Sequence, residues 1–533
     1  MADKRPNFLF IITDQHRADY LGCSGHPLVK TPNIDRLAAN GSRFDRFYVA
    51  SPVCMPNRSS LMTGRLPSVT GARGNGLPLS LQSNTFVDLL RANGYRTALS
   101  GKSHLMNMTD GERMYDPDVP AGLAIPEGDF AEALKPWAPP EKYDQEKPAR
   151  WAEKRQNLDL PFYGFERVHL CSGHGDMVGA DYPYWVRDRG QDPDKLRGPK
   201  NALPADIKTP QAWRTAMPEE LYPTNYVAEH ALSCLDDWAA ADDDKPFFLS
   251  MSFPDPHHPF TPPGKYWDMY DPADVTLPAS FHAERPNEAT PVELARSVAD
   301  RPGFDRERTM VFLRVDEQEA REAIALTCGM ITMIDDAVGR VLAKLEELGI
   351  ADNTIVIFTA DHGDFLGDHG LLLKGPLHLN AITRVPFIWS DPAGKSNQVL
   401  NSLTSTIDIA PTILARAGLA GFNGMQGRIL LSDMEQGEDT GTGDILIDEE
   451  SQRSVLGLSA PVRVRSMITQ DWRITVYDDD ELAEMYDLKN DPYELRNLWN
   501  DPDYRDQRAE LTERMLRRSI NLLDRSPLPL ARA

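Results

Sequence analysis

Four segments of this sequence share one grammar, a short apolar run that stops abruptly in a cluster of polar side chains. Phe8–Thr13 (FLFIIT) gives way to Asp14, Gln15 and His16, and Tyr95–Gly101 (YRTALSG) to Lys102, Ser103 and His104. Pro246–Ser252 (PFFLSMS) leads to Asp255, His257 and His258, and Thr354–Ala360 (TIVIFTA) to Asp361, His362, Asp364, Asp368 and His369. Runs of this length, rich in Ile, Val and Phe and separated by helical patterns, fit strands of a sheet covered on both faces. DLLRANG supplies a helix before the second run. MIDDAVGRVLAKLEELG supplies one before the fourth, with Ile334, Val338, Val341, Leu342 and Leu345 along one face and a stop at Gly349. In open α/β sheets, ligands gather outside the carboxyl ends of the strands. The four polar clusters are therefore expected to converge in one crevice.

The chain has 533 residues, which excludes a single small domain. After about Gly421 the texture changes. Val462–Met467 and Trp472–Tyr477 read as two strands joined by a turn around Gln470 and Asp471, and a charged helix runs from about Tyr504 to Asn521. The expected class is α/β, with residues 1–420 as a catalytic domain and 421–533 as a smaller α+β domain with an antiparallel sheet. The stretch from Asp110 to Leu221 is rich in Pro, Trp, Tyr and charge, and reads as inserted loops and short helices near the mouth of the site.

Acidic residues outnumber basic ones by 80 to 57, a formal net charge of −23. That balance argues against a nucleic-acid partner. Five scattered cysteines (Cys23, Cys54, Cys171, Cys234, Cys328) show no disulfide framework, so a cytoplasmic location is expected. The first apolar run is too short to cross a membrane and no small-residue cleavage site follows it, so no membrane attachment is expected.

The most informative stretch is SPVCMPNRSSLMTGRLPSVTGARGNG, Ser51 to Gly76. Pro56 suits the start of a helix that Gly64 stops. Cys54 then sits at the helix N-terminus, where free backbone N–H groups favour negative charge. Arg58, four residues on, shares its face. A cysteine so placed is expected to be reactive, with a lowered pKa. Asp14, Asp361 and His362 supply oxygen and nitrogen suited to one divalent cation.

CMPNR followed by SSLMTGR resembles the C-x-P-x-R signature of type I sulfatases of the alkaline phosphatase superfamily. The likeness extends in order through TDQ at Thr13, GKSH at Gly101, DPHHPF at Asp255, ADHGDFLGDHG at Ala360 and MYDLKNDPYELRNL at Met485. It covers almost the whole chain, with least support between about Asp110 and Leu221. It implies an alkaline-phosphatase-like fold, a large mixed sheet flanked by helices and a small C-terminal sheet domain. It also implies that Cys54 is oxidised to Cα-formylglycine by a formylglycine-generating enzyme, and that Asp14, Gln15, Cys54, Asp361 and His362 hold the metal.

Many sulfatases have a second Asp where this chain has Gln15, and Asn where it has His362. The pattern here is similar to phosphonate monoester hydrolases, choline sulfatase and some promiscuous arylsulfatases. The imidazole favours Mn²⁺ over Ca²⁺, with both kept open. The resemblance further implies His104 as the base that releases the inorganic group, His257 as donor to the leaving oxygen, and Arg58, Lys102 and Lys374 as a clamp on the substrate oxyanions. Asn75, in GARGNG, resembles a side chain that touches the same oxyanions in the phosphonate hydrolase branch. His258 is read as a neighbour and His174, in SGHGD, as a loop histidine. The expected activity is hydrolysis of aryl or alkyl sulfate monoesters by a homo-oligomer. Phosphonate monoester or phosphodiester hydrolysis on the same site is the first alternative, and a catalytically silent binding protein the second.

Overall fold

The structure is a computed structural model that describes residues 5–111, 122–123, 140–241, 243–284, 290–437, 443–451, 455–458, 461–526 and 528. Parts of the expected loop insertion, 112–121 and 124–139, lie outside the described residues.

The elements that matter for function are, in chain order, strand β1 (Asn7–Thr13), helix α1 (Pro32–Ala39), β2 (Ser42–Phe44), α2 (Cys54–Thr63), α3 (Phe86–Ala92), β3 (Arg96–Lys102), β4 (Arg167–Ser172), β5 (Gly179–Ala180), α4 (Pro223–Ala240), β6 (Phe247–Ser252), α5 (Glu317–Glu347), β7 (Thr354–Ala360), β8 (Phe387–Ser390), β9 (Gln398–Leu400) and α6 (Ile409–Arg416). β10 (Ile445–Glu450), β11 (Arg463–Ile468), β12 (Trp472–Tyr477), β13 (Ala483–Asp487) and α7 (Arg505–Asn521) follow.

Nine strands form one mixed sheet in the order β9-β2-β8-β7-β1-β6-β3-β4-β5. The five from β7 to β4 run parallel, while β8 and β5 join it antiparallel. All seven residues of β1 are buried, because both faces of the sheet are covered. The pleat still sorts them. Leu9 and Ile11 pack with residues of α1, α4 and α5, whereas Phe8, Phe10 and Ile12 pack with α2, α3 and α6. Each large apolar side chain fully buried in this way contributes roughly 1.5–3 kcal/mol.

A separate four-stranded antiparallel sheet, β10-β11-β12-β13, lies in the C-terminal part. Two of its strands match the expectation. The outer two, ILIDEE and AEMYD, went unread because their charged residues mask the apolar alternation. The middle region also differs from a purely loop-and-helix insertion, since it supplies β4 and β5 to the main sheet. Near the sheet edge β4 is only half buried, and its Arg167 and His169 leave no apolar run to see.

Parallel registry aligns the strand ends. Thr13 pairs with Ala360, Ile12 with Ser252, and Gly101 with Ser252. The residues just beyond, Asp14, Lys102, Asp255 and Asp361, therefore leave the sheet at one edge, and their segments frame one site.

Candidate active site

Cys54 is the first residue of α2, and its side chain is buried at the centre of the strand ends. Its Sγ lies 3.0 Å from His362 Nε2, 3.1 Å from Lys374 Nζ and 3.8 Å from Asp14 Oδ1. Burial and Asp14 push the thiol up, but Lys374, His362 and Lys102 outweigh them and hold it below its usual range. Asn75 Oδ1 accepts the Met55 N–H at 3.2 Å, so Asn75 sits over the same helix start.

Arg58, one turn along, reaches back across the site. Its Nε donates to Asp361 Oδ2 at 2.8 Å, its Nη1 to Ser252 Oγ at 2.9 Å and to the Lys102 carbonyl at 3.2 Å, and its Nη2 lies 3.5 Å from Asp14 Oδ2. Lys102 pairs with Asp14 Oδ2 and donates to His174 Nε2 at 2.7 Å. Burial alone would raise the Asp14 carboxyl, yet Lys102 and Arg58 keep it well below the usual carboxylate range.

Carbonyl contacts fix two imidazoles. His362 Nδ1–H donates to the Gly363 carbonyl at 2.9 Å, so that Nε2 faces Cys54 Sγ at 3.0 Å and Lys374 Nζ at 2.7 Å. His257 Nδ1–H donates to the His258 carbonyl at 2.6 Å, and its Nε2 accepts from Lys374 at 3.3 Å. Burial, then Lys102 and Arg58, drives His104 well below its ordinary pKa, and its Nδ1 has no hydrogen-bond partner among the described residues.

This geometry brings together Asp14, Cys54, Arg58, Lys102, His257, Asp361, His362 and Lys374. A match to the sulfatase family profile covers residues 6–419. The chain belongs to the sulfatase family. A profile for the C-terminal part of N-sulphoglucosamine sulphohydrolase also matches residues 367–521. This sulfatase is 30% identical over 523 residues to a multifunctional alkaline phosphatase superfamily protein of Trinickia caryophylli, covering 94% of this chain and 92% of that protein. It is 28% identical over 517 residues to an arylsulfatase of Clostridium perfringens, with the same coverages of 94% and 92%. Among solved structures it is similar to a phosphonate monoester hydrolase of Agrobacterium radiobacter, with a TM-score of 0.74, 25% identity, and 98% of this chain and 97% of that one covered. As a member of this family it is a hydrolase of sulfate esters.

The donor set of this sulfatase fits a divalent cation. Ligand atoms of Asp14, Cys54, Asp361 and His362 lie within 4.8 Å of one another. Gln15, whose backbone N–H donates to Asp361 Oδ1 at 3.1 Å, adds a buried amide oxygen, Oε1, with no hydrogen-bond partner among the described residues. Its Nε2 is occupied by Asp364 and by His258 Nδ1 at 3.2 Å, which fixes the amide orientation. A buried acceptor left unmatched while its own N–H₂ is bonded suits a cation ligand.

Three further groups brace these side chains. His174 is more than a loop histidine: its ring stacks on His257 with centroids 3.5 Å apart and planes 10° from parallel. Glu146 accepts the backbone N–H groups of His104, Leu105 and Met106 at 2.8–3.1 Å and so holds the turn that carries His104. Asp364 accepts the N–H of Leu366 and of Leu373, each at 2.8 Å, just before Lys374. The only signal for Asp364 was its place within ADHGDFLGDHG. His174 and Glu146 lie in the region where the pattern was weakest.

Proposed function

We propose that this sulfatase cleaves aryl or alkyl sulfate monoesters with a nucleophile made from Cys54 by conversion to Cα-formylglycine. The single observation that carries the reading is the position of residue 54, on a helix N-terminus with Lys374, His362 and Asp14 converging on its side chain. One divalent cation, Mn²⁺ or Ca²⁺, would be held by Asp14, Gln15, Asp361, His362 and residue 54. Once bound, it supplies charge that acidifies an oxygen on residue 54 and polarises a substrate oxyanion.

Arg58, Lys102 and Lys374 then clamp the remaining oxyanions, and Asn75 adds an amide beside residue 54. His257, whose Nε2 lies 3.3 Å from Lys374 Nζ, is the donor to the leaving oxygen, while Lys374 keeps its charge for the clamp. Neutral His104 is the base that takes a proton from residue 54 when the inorganic group departs. In this reading residues 1–420 form the catalytic unit and 421–533 the smaller C-terminal one. The five free cysteines support a cytoplasmic setting, and no helix among the described residues is long and apolar enough to cross a membrane. A maturation enzyme acting on Cys54 and self-association of the chain belong to the same reading.

The likeness to a phosphonate monoester hydrolase over nearly the whole chain favours a second activity, on phosphonate monoesters and phosphodiesters. These share a single negative charge with sulfate monoesters, so one cationic pocket serves all three. Mass analysis of the Cys54 peptide from a converting host tests the nucleophile: an aldehyde is expected, and a thiol removes it. Rates on matched aryl sulfates and aryl phosphonates then decide the preference, and faster phosphonate turnover would reverse the order of the two readings.

A further inference from the structure

Lys374 touches Cys54, His257 and His362, yet the segment that carries it is gripped mainly by the C-terminal sheet. Two residues on, the Pro376 carbonyl accepts the Tyr477 hydroxyl of β12 at 3.0 Å. His378, fully buried, lies between Ser466 of β11, 2.8 Å from its Nδ1, and Glu449 of β10, 3.1 Å from its Nε2. The Asn380 N–H donates to Glu494 Oε2 at 2.7 Å. Glu494 is in turn paired with Arg473 of β12 at 2.5 Å.

The hydrogen bonds around His378 form one directional chain. Arg473 Nη1 donates to Thr475 Oγ1 at 2.6 Å, so the Thr475 proton is directed to Ser466 Oγ at 2.7 Å. The Ser466 proton then faces His378 Nδ1, and His378 Nε2–H faces Glu449. From Arg473 Nη1 to Glu449 each link has one donor and one acceptor, which fixes the ring orientation and the tautomer of His378. Upstream, the Leu373 N–H is held by Asp364 at 2.8 Å. Lys374 is therefore suspended between an anchor one residue before it and three anchors two to six residues after it.

We infer that the C-terminal sheet is a positioning element for Lys374, with His378 its central positioning residue and Tyr477 and Glu494 its flanking holds. The inference rests on the proposed role of Lys374 in sulfate ester cleavage. None of these residues needs to touch substrate. Their effect is to set the Lys374 ammonium against residue 54, where a shift of about 1 Å costs on the order of 10²-fold in rate.

The test is a double-mutant cycle in matured protein with 4-nitrophenyl sulfate as the probe. His378→Ala and Tyr477→Phe are each made alone and in the Lys374→Ala background, with thermal melts alongside. Each single change is expected to lower kcat/KM about 10–100-fold in the native background. In the Lys374→Ala background the further loss should be less than about threefold, because the group being positioned is gone. Equal losses in both backgrounds, or native-background losses under threefold, would overturn the inference. Tyr477→Phe removes one oxygen and carries the test if His378→Ala does not fold. A crystal structure of the Tyr477→Phe variant with unconverted Cys54 gives an arm free of activity. Lys374 Nζ is expected to leave its contact with Cys54 Sγ, and a retained contact also overturns the inference. A native enzyme silent on the probe would sink the sulfate reading but leave this structural arm standing.

Discussion

Arg58 Nε donates to Asp361 Oδ2 at 2.8 Å, joining the helix that begins at Cys54 to the end of strand β7, with both side chains almost wholly shielded from solvent. The same guanidinium bonds Ser252 at the end of β6 and the carbonyl of Lys102 at the end of β3. One side chain thus fixes the relative positions of three strand ends and the nucleophile helix.

Removing it takes the guanidinium from buried Asp361, while Asp14 keeps Lys102. Arg58→Ala should destabilise the metal-free protein by about 3–5 kcal/mol, the usual cost of breaking a buried ion pair from one side. It should also lower kcat by about 10²–10³-fold through loss of an oxyanion donor. Arg58→Lys retains charge without the fork and should lose most of the activity at a smaller stability cost. Chemical denaturation checks the first claim and steady-state turnover the second, and a variant of unchanged stability would refute the bridging role.

Gln15 provides a sharper test of the metal site. Its Oε1 is a buried, uncharged oxygen with no hydrogen-bond partner among the described residues. Gln15→Leu should weaken Mn²⁺ or Ca²⁺ binding by about 10–100-fold, read by calorimetric titration. In the native protein, metal at 100 times its Kd should add about 2.7 kcal/mol to stability, and a chelator should remove it. Unchanged affinity in Gln15→Leu would take Gln15 out of the ligand set.

The site was legible where the chain itself is repetitive. β1, β3, β6 and β7 are apolar runs because both their faces are buried, and each ends where a polar side chain is needed. Cys54 and Arg58 could be placed on one helix from the sequence alone, though Arg58 turns to Asp361, Ser252 and the Lys102 carbonyl. His174 was not legible in the same way. It follows β4, a half-buried strand near the sheet edge without apolar periodicity, and meets the site through its stack on His257 and its contact with Lys102. Nor could the sequence place His378 or Glu146, which act through contacts 71 to 88 and 40 to 42 residues away in the chain. Long-range partners of this kind leave no local pattern.

His174 separates two effects that one substitution would confuse. Its ring braces His257, and its Nε2 accepts from Lys102. His174→Ala removes both and should lower kcat about 10–100-fold by letting His257 and Lys102 drift. His174→Phe retains an aromatic face but no acceptor. Recovery of most of the lost kcat in His174→Phe would assign the role to stacking, while continued loss would assign it to the Lys102 contact.

Stability should carry a pH signature from a carboxyl that takes no part in the chemistry. Asp408 is fully buried, and burial raises it from 3.8 to about 6, despite N–H donors from Arg428 at 2.7 Å and Ser405 at 2.8 Å. A carboxyl raised in the fold favours folding fully below pH 3.8, and that contribution is lost as pH climbs through 6. The loss is on the order of 3 kcal/mol. Asp408→Asn cannot titrate, so its stability minus that of the native protein should become more positive from pH 4 to pH 7. A difference flat across that range would show that Asp408 is ionised in the fold throughout.

Gly101 tests whether strand spacing itself sets the chemistry. It lies in β3 with φ at +114°, a conformation that disfavours side chains, and an added Cβ would fall 1.9 Å from the Ser252 carbonyl oxygen of β6. The obstacle is backbone on a central strand, so relief requires β3 and β6 to separate. Overpacking of this kind costs about 1–3 kcal/mol, and the strained φ adds on the order of 1–3 kcal/mol more. The two strands carry Lys102, which pairs with Asp14, and Ser252, which accepts from Arg58. Gly101→Ala should therefore lower both stability and turnover, while a core change equally costly but remote from the strand ends, such as Leu235→Ala in α4, should lower stability alone. If matched losses of stability give matched losses of kcat at a temperature where both variants are folded, the strand ends do not set the site geometry.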